Sequence, residues 1–360
     1  MVICSTTSPT MTRPLPLVRT LSYPAPSRLS RPRRHLRSFT SLPRFSGTSV
    51  RIVEVGARDG LQNEKTTVPL ETKLELLSRL SKTGLRHIEA GSFVSPKWVP
   101  QMANTSAILS HLEATKDAEP RHHDITYSYL VPNEKGLAGF LHEKPTPGTG
   151  NEIAVFASAS EGFSQKNLNC SIAESLQRFV PVVEKALKSG FRVRGYVSMV
   201  IACPYSGHTP PEAVAGVTQK LLDMGCYEVS LGDTNGVGTP GTVAKLLRCL
   251  INERCIPAEK LAAHFHDTYG QAIVNSLVAL EHGIRTFDSS VGGLGGCPYA
   301  AGATGNVATE DLVYFLEGTG VHTGVDLEQL ASVGEWVSKV LGRRNGSRVG
   351  RALAGKRSVM

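Results

Sequence analysis

The segment Leu261-Ala-Ala-His-Phe-His-Asp-Thr268 places two histidines at the end of a short apolar run. An apolar run of this length is typical of a strand that is buried in a parallel sheet. Side chains two residues apart on a strand point to the same face, so both imidazoles can reach one cation. A His-x-His pair also occurs when one histidine packs in the core and the other lies on the surface. The rest of the chain must therefore decide between a metal site and two structural histidines.

Similar apolar runs recur along the chain, and helix-length amphipathic stretches separate them. The strand-like runs are 52–55, 87–90, 126–130, 153–157, 194–198, 228–231, 261–265 and 286–289. The helical stretches are 70–83, 171–189, 210–224, 240–252, 270–282 and 307–319, with weaker signals at 101–113 and 133–142. This alternation predicts a parallel sheet with right-handed crossovers. Eight strands predict an α/β fold, a (β/α)8 TIM barrel with an additional C-terminal helical segment; the alternative is an open doubly wound sheet.

The positive charge of the chain is concentrated at its N-terminus. Residues 1–50 contain eight of the 39 basic residues, all arginine, and none of the 31 acidic residues, which leaves 31 basic and 31 acidic residues after position 50. A formally neutral remainder offers no charge-based argument for nucleic-acid binding. The longest apolar runs are shorter than the roughly 20 residues of a membrane span. We therefore predict neither a nucleic-acid partner nor a membrane partner.

The N-terminal segment has the composition of an organellar transit peptide. Residues 1–48 are rich in Ser, Thr, Pro and Arg and lack Asp and Glu, which predicts import into the mitochondrial matrix. The alternative is a disordered basic arm without a targeting role. We expect a catalytic barrel at 49–345 and a C-terminal tail at 346–360. Seven scattered cysteines without a Cys-x-x-Cys pair predict reduced thiols and no structural zinc.

Polar residues follow the predicted strands at the positions where barrel enzymes build their sites. These positions are the C-terminal ends of the strands and the loops after them. The residues are Arg58 and Asp59 after the first strand, Glu89 at the end of the second, Asp233 after the sixth, His264 and His266 at the end of the seventh, and Cys297 and Asn306 after the eighth. We therefore expect one polar cluster at this end of the barrel.

Four of these residues are candidate ligands of one metal ion. The first and last strands of a closed barrel are neighbours, so Asp59, His264, His266 and Asn306 can approach one another. Two nitrogens, a carboxylate and an amide oxygen suit a divalent cation such as Mg2+, Mn2+ or Zn2+. Taken singly, Arg58 and Asp59 are compatible with a salt-bridged turn, and Asn306 with a helix cap. Their joint placement favours the metal site.

Two glycine-rich segments invite a nucleotide-binding interpretation. Gly236-Val-Gly-Thr-Pro-Gly241 matches Gly-x-Gly-x-x-Gly, but it follows the sixth strand, and Thr239-Pro240 is typical of a helix N-cap followed by proline at the first helical position. We therefore predict a helix start there. The glycines of 292–296 lack the Lys-Ser/Thr ending of a phosphate-binding loop and fit a mobile lid better.

Several segments of the chain resemble the 3-hydroxy-3-methylglutaryl-CoA lyases, over about residues 51–340. They are Val53-Glu-Val-Gly-Ala-Arg-Asp-Gly-Leu-Gln-Asn-Glu-Lys65, Ser92-Phe-Val-Ser-Pro-Lys-Trp-Val-Pro-Gln-Met102, Arg194-Gly-Tyr-Val-Ser198, His264-Phe-His-Asp-Thr-Tyr-Gly-Gln271 and Ser289-Ser-Val-Gly-Gly-Leu-Gly-Gly-Cys-Pro-Tyr-Ala300. The Arg-Asp and His-x-His elements are shared with isopropylmalate synthases, homocitrate synthases and some aldolases. The cysteine loop is the more specific element, since it carries the catalytic cysteine of the lyases.

The resemblance implies a barrel, a homodimer and a divalent cation, Mg2+ or Mn2+, bound by the four candidate ligands. It also implies cleavage of an acyl-CoA substrate, 3-hydroxy-3-methylglutaryl-CoA, to acetoacetate and acetyl-CoA, in leucine breakdown and ketone-body formation. Within that reaction we assign Arg58 to charge on the thioester oxygen and Cys297 to acid/base work at the reacting carbons. Glu89 and Asp233 would support proton transfer or position the histidines.

Other functions remain compatible with the sequence. A condensing enzyme of the same barrel group would join acetyl-CoA to a 2-oxo acid, and we expect it to carry a further C-terminal regulatory domain. A non-enzymatic protein with a basic tail would use His264 and His266 only structurally. Independently of these functions, the alternative for Cys297 is an inert small apolar residue buried in the barrel mouth, which is common for free cysteine.

Overall fold

Eight parallel strands form a closed barrel in the computed structural model, which describes residues 45, 47–116, 124–148, 150–296 and 305–357. The strands are β1 (Arg51–Glu54), β2 (His87–Ser92), β3 (Thr126–Leu130), β4 (Asn151–Ser158), β5 (Arg192–Ser198), β6 (Glu228–Asp233), β7 (Leu261–Phe265) and β8 (Thr286–Ser289). Around the barrel their order is β1-β8-β7-β6-β5-β4-β3-β2, and β1 pairs with both β2 and β8. The closed order confirms the predicted (β/α)8 barrel, and the open doubly wound alternative is wrong.

Helices connect the strands and follow the last one. They are α1 (Leu70–Leu80), α2 (Thr105–Thr115), α3 (Glu134–His142), α4 (Glu161–Leu168), α5 (Ile172–Lys188), α6 (Pro211–Asp223), α7 (Pro240–Arg248), α8 (Ala272–Glu281), α9 (Thr309–Gly318), α10 (Leu327–Val340) and α11 (Arg348–Arg357). The last two confirm the additional C-terminal helical segment. A short hairpin of Ala202–Cys203 and Gly207–His208 follows β5.

The sequence predicts most of these elements to within a few residues, and α4 is the clearest omission. Ser160 caps α4 by accepting a hydrogen bond from the Phe163 amide, yet only Phe163 and Ser164 of this helix are buried. Apolar periodicity is therefore weak in α4. The predicted start of α7 is confirmed, because Thr239 and Thr242 form a reciprocal cap there with Pro240 at the first helical position.

Apolar strand residues fill the core between the barrel and its helices. Ile88, Val155, Val193 and Val229 have no exposed surface, and Phe287 is almost fully buried. The parallel register places the C-terminal ends of β1, β7 and β8 side by side, with His264 opposite Asp288. This end of the barrel therefore brings together the loops that carry the predicted site. Among the residues in the described ranges, none of the helices combines the length and hydrophobicity of a membrane span.

Candidate active site

Arg58 and Asp59 lie in a single π-helical turn, Gly56–Gly60, which follows β1 after Val55. The Arg58 guanidinium donates to Asp59 Oδ1 at 2.8 Å and pairs with Glu89 Oε2 of β2 at 2.7 Å. Arg58 and Glu89 are buried. The salt bridge within this turn, which the sequence offered as an alternative to a site role for Arg58 and Asp59, is therefore present. The same salt bridge lies within the polar cluster, so the two interpretations are compatible. Glu89 is in the middle of β2 and not at its end.

Asp59 lies beside the two histidines of β7 and the segment after it. One potential ligand atom from each of Asp59, His264 and His266 lies within 4.8 Å of the other two. The Asn306 side-chain amide donates to Asp59 Oδ2 at 2.8 Å. The backbones of Asn306 and His266 also pair in an isolated antiparallel β-bridge. The interpretation of Asn306 as a helix cap is wrong, because α9 begins at Thr309 with Ala308 at the cap position. All four candidate ligands thus meet at one place.

The electrostatics of this group suit ligands of a cation. Burial alone would raise the pKa of Asp59, but the charges of Arg58, His264 and His266 outweigh it and lower the pKa to about 2. Burial and the neighbouring His264 lower the pKa of His266 to about 4. A carboxylate and a neutral imidazole are the forms that bind metals.

His264 and His266 differ in their hydrogen bonds. His264 Nδ1 lies 3.1 Å from Asp288 Oδ2 of β8, which leaves its Nε2 available. His266 Nδ1 is buried and has no hydrogen-bond partner among the described residues. A histidine oriented by a carboxylate, beside a buried histidine nitrogen with no partner, fits a metal site with its supporting residue.

Asp233 is the last residue of β6 rather than a residue after it, and it faces a turn. Its Oδ2 accepts from the Gly238 amide at 2.8 Å and its Oδ1 from the Val237 amide at 3.2 Å. Burial raises the pKa of this carboxyl to about 6, although the backbone hydrogen bonds oppose the shift. The carboxylate therefore holds the turn between β6 and α7, and direct hydrogen bonds to the histidines are not among its contacts.

Cys297 lies outside the described residues, whereas the glycine segment before it, Val291–Gly296, is described. Gly292, Gly293 and Gly295 have positive φ angles of 62°, 60° and 119°, which a residue with a Cβ adopts rarely. The Asn63 side chain donates to the Gly296 carbonyl at 2.8 Å. The glycines are thus required by the path of the backbone on the way to Cys297.

A cavity of about 980 Å³ adjoins the polar cluster. Arg58, Asp59, His264 and His266 line it, and so do Trp98 from the loop after β2 and Lys166 of α4. Trp98 has 84% of its surface exposed. Ligand pockets of this kind commonly have volumes of about 300–1,000 Å³, so the cavity has room for a cofactor-sized molecule.

The sequence interpretation missed residues that support the site from inside the strands. Asp288 accepts hydrogen bonds from Arg194 at 2.8 and 3.2 Å and from Ser230 at 2.7 Å, in addition to its contact with His264. Its environment of positive charge holds the pKa of Asp288 well below the usual range, although burial opposes this shift. A carboxylate inside the short strand Thr-Phe-Asp-Ser was the available signal.

Comparisons with known proteins agree with this geometry. Residues 49–337 match the family model described as HMGL-like. The bovine protein named "Hydroxymethylglutaryl-CoA lyase, mitochondrial" is 51% identical over 303 residues, which are 84% of this chain and 89% of the bovine protein.

Two solved structures extend the comparison. The crystal structure of hydroxymethylglutaryl-CoA lyase from Pseudomonas aeruginosa is 53% identical, with a TM-score of 0.79, and the match covers 86% of this chain and 98% of that one. An HMG-CoA lyase from Acinetobacter baumannii, solved in complex with coenzyme A and 3-methylmalate, is 34% identical, with a TM-score of 0.76 and coverage of 84% and 95%.

Proposed function

The chain belongs to the HMGL-like family, and from that premise we propose that it is a carbon–carbon lyase that cleaves 3-hydroxy-3-methylglutaryl-CoA to acetoacetate and acetyl-CoA. The main support is the identity of about half of the residues, over most of the chain, with proteins named as lyases of this substrate. The cavity next to Arg58 and the histidine pair would hold the substrate.

We propose that Asp59, His264, His266 and Asn306 hold a divalent cation, Mg2+ or Mn2+. The donor set fits such an ion, and the buried His266 Nδ1 without a partner supports the assignment. When bound, such an ion supplies Lewis-acid chemistry, which lowers the pKa of a substrate hydroxyl and fixes its orientation. The protein side of the site supplies a fixed carboxylate from Asp59 and a neutral imidazole from His266 at short range.

Arg58 would stabilise the charge that develops during bond cleavage. Glu89 would accept the proton of the tertiary hydroxyl, whose oxygen then forms a ketone as the bond between C2 and C3 of the acyl chain breaks and the electron pair of that bond moves into the thioester enolate. A permanently charged guanidinium beside the thioester oxygen stabilises that enolate. Glu89 and Asp59 already hold the Arg58 guanidinium in place, so little reorientation is needed during the reaction.

Cys297 would deliver a proton to C2 of the enolate, which yields acetyl-CoA. This assignment rests on the sequence of the loop, because Cys297 lies outside the described residues. We propose that Glu89 orients Arg58 and that Asp233 fixes the turn after β6 and so supports the neighbouring β7. Burial raises the pKa of Glu89, which would also let it take part in proton transfer.

The biological setting proposed here rests mainly on the sequence. The arginine-rich residues 1–48 would direct the protein to the mitochondrial matrix, 49–345 would form the catalytic barrel, and 346–360 would be a C-terminal tail. We also propose a homodimer. A fluorescent fusion with and without residues 1–48 tests the location, and light scattering of the purified protein tests the oligomeric state.

A coupled assay tests the function directly. Purified residues 49–360 would receive 3-hydroxy-3-methylglutaryl-CoA with Mg2+ or Mn2+, and in parallel acetyl-CoA with several 2-oxo acids. We expect acetoacetate and acetyl-CoA from the first reaction and no release of free CoA from the second. Free CoA from the second reaction, with no acetoacetate from the first, would instead identify a condensing enzyme.

A further inference from the structure

Two buried carboxylates accept the first two backbone amides of the glycine segment Val291–Gly296. The Val291 amide donates to Glu54 Oε1 at 2.9 Å, and the Gly292 amide donates to Glu310 Oε2 at 2.9 Å. Neither Glu54 nor Glu310 has exposed surface. Glu54 ends β1 and Glu310 is in the first turn of α9, so residues far apart in the sequence hold the start of this segment.

Glu54 also holds the turn that carries Arg58 and Asp59. Its Oε1 accepts from the Gly56 amide at 2.8 Å, and its Oε2 accepts from the Thr309 hydroxyl at 2.6 Å. One carboxylate therefore connects the turn Gly56–Gly60, the glycine segment and the start of α9. Loss of this carboxylate would release three elements together.

The glycine segment in turn contacts a candidate metal ligand. The Asn306 side chain donates to the Leu294 carbonyl at 3.3 Å and to Asp59 at 2.8 Å. A displacement of Val291–Leu294 would therefore move Asn306 relative to Asp59. The two glutamates thus contact the glycine segment, and the glycine segment contacts Asn306, a candidate ligand of the metal site.

The backbone around the two carboxylates leaves room for them. A Cβ at Gly334 of α10 would overlap Glu310, and a Cβ at Gly56 would overlap Glu54. Burial raises the pKa of Glu54 to about 7 and that of Glu310 to about 8, although their hydrogen bonds oppose these shifts. Buried carboxyl groups are unfavourable for stability unless their partners compensate. Two such groups beside the site therefore indicate that they contribute to the site and not to stability alone.

We propose that Glu54 and Glu310 are positioning residues that fix the glycine segment against the turn Gly56–Gly60 and so set Asp59 and Asn306 for cation binding. This role rests on the metal site of the proposed function. Hydrogen-bond acceptance is what the role requires, and a negative charge is not. Glutamine at position 54 would accept from both amides and donate to the Thr309 hydroxyl, and glutamine at position 310 would accept from Gly292.

The experiment compares Glu54→Ala and Glu310→Ala with the corresponding glutamine variants. Binding of Mn2+ is measured by calorimetry without substrate, and hydrogen exchange is measured for Val291 and Gly292. We expect each alanine variant to bind Mn2+ about 10-fold or more weakly, the scale of a residue that supports a metal ligand, and to exchange these amides faster. Each glutamine variant should remain within about threefold of the wild type.

Glu152→Ala is the matched control. Glu152 is also a buried carboxylate, but it bonds the Tyr227 hydroxyl, at 3.0 Å, near the N-terminal end of β4. This variant should lose thermal stability and keep the Mn2+ affinity. If Glu54→Ala does not fold, Thr309→Val removes only the hydroxyl donor and should weaken Mn2+ binding by a smaller factor.

The outcomes separate this inference from the proposed function. Wild-type protein that neither binds Mn2+ nor cleaves the acyl-CoA would overturn the proposed function. An active wild type with alanine variants that bind Mn2+ and protect both amides normally would overturn the positioning role alone. Glutamine variants as defective as the alanine variants would also overturn it, because the charge would then be the required property.

Discussion

The barrel contains two clusters of mostly buried charged and polar side chains that differ in how completely their atoms are paired. The site cluster consists of Arg58, Asp59, Glu89, His264 and His266. The base cluster consists of Arg51, Glu152, Arg194, Tyr227 and Glu228, from the beginnings of the strands and from the residue before β6.

Pairing is nearly complete in the base cluster. The Arg194 guanidinium donates to Glu228 at 2.8 Å, Arg51 pairs with Glu228, and the Tyr227 hydroxyl bonds Glu152. In the site cluster, Arg58 Nε, Glu89 Oε1 and His266 Nδ1 are buried without a hydrogen-bond partner among the described residues, whereas Arg51 Nε is the one such atom in the base cluster.

The difference separates a structural role from a ligand-binding role. An unpaired buried polar atom costs about 1–3 kcal/mol, so several of them in one place indicate partners that arrive with a ligand. Asp288 joins the two clusters, because it accepts hydrogen bonds from Arg194 and also contacts His264. Substitutions in the two clusters should therefore affect different measurements.

The largest expected effect follows loss of a candidate metal ligand. Asp59→Ala should abolish Mn2+ binding and lower kcat/KM by about 1,000-fold or more, since a bound metal contributes several kcal/mol to catalysis. Glu228→Gln in the base cluster is the control. It should lower the melting temperature and leave kcat within about threefold of the wild type. If Asp59→Ala and Glu228→Gln lose the same activity and have the same melting temperature, the two clusters do not differ in role.

Cys297 should extend the site cluster by one catalytic group. Cys297→Ser should lose about 100-fold or more in kcat with KM little changed, the scale of one acid/base residue. Cys255→Ser, at an exposed free cysteine, is the control and should match the wild type. The measurement is kcat and KM with saturating metal. A kcat of Cys297→Ser within about threefold of the wild type would return this cysteine to a structural role.

Asp288→Asn tests the residue that the two clusters share. An asparagine removes the negative charge that orients His264, so Mn2+ affinity should fall about 10- to 100-fold, the usual effect of losing such a partner. Ser230→Ala removes another hydrogen bond to Asp288 and leaves the carboxylate in place, so its effect should be smaller. Calorimetric titration with Mn2+ checks both. Unchanged affinity in Asp288→Asn would assign Asp288 to the base cluster.

The sequence predicts the barrel because each strand has an apolar centre, and apolar runs can be identified without knowing their partners. It misses the strand ends that carry polar side chains, such as Asn151 and Glu152 of β4 and Asp233 of β6. The sequence also predicts that Arg58, Asp59 and the histidines lie together, because a barrel brings the C-terminal ends of its strands to one side. Asp288, Glu54 and Glu310 could not be recognised in this way, since their partners are distant in sequence and their role depends on strand register and hydrogen bonds.

The smallest expected effect is a change in how stability depends on pH. Because the pKa of Glu310 is raised to about 8 in the folded protein, the folded state binds more protons than the unfolded state between about pH 4.5 and pH 8. The stabilising contribution of the protonated carboxyl is thus present at low pH and is lost as pH rises through that window. Glutamine cannot titrate, so Glu310→Gln should gain stability relative to the wild type as pH rises.

Thermal melts of both proteins from pH 5 to pH 9 measure this difference. We expect the melting temperature of Glu310→Gln to rise relative to the wild type by several degrees between these limits, since 1 kcal/mol corresponds to roughly 2–4 °C in proteins approaching this size. Glu335→Gln, at an exposed position on α10, should show no such trend. The neighbouring Glu54 adds to this trend. In Glu310→Gln, Glu54 ionises without a second negative charge beside it, so its ionisation at high pH destabilises the variant less than the wild type. If the melting temperatures of the two proteins differ by the same amount at every pH, Glu310 does not titrate in this range. The burial of Glu310 would then be compensated by its partners, as in the base cluster, and Glu310 would not belong to the incompletely compensated region around the site.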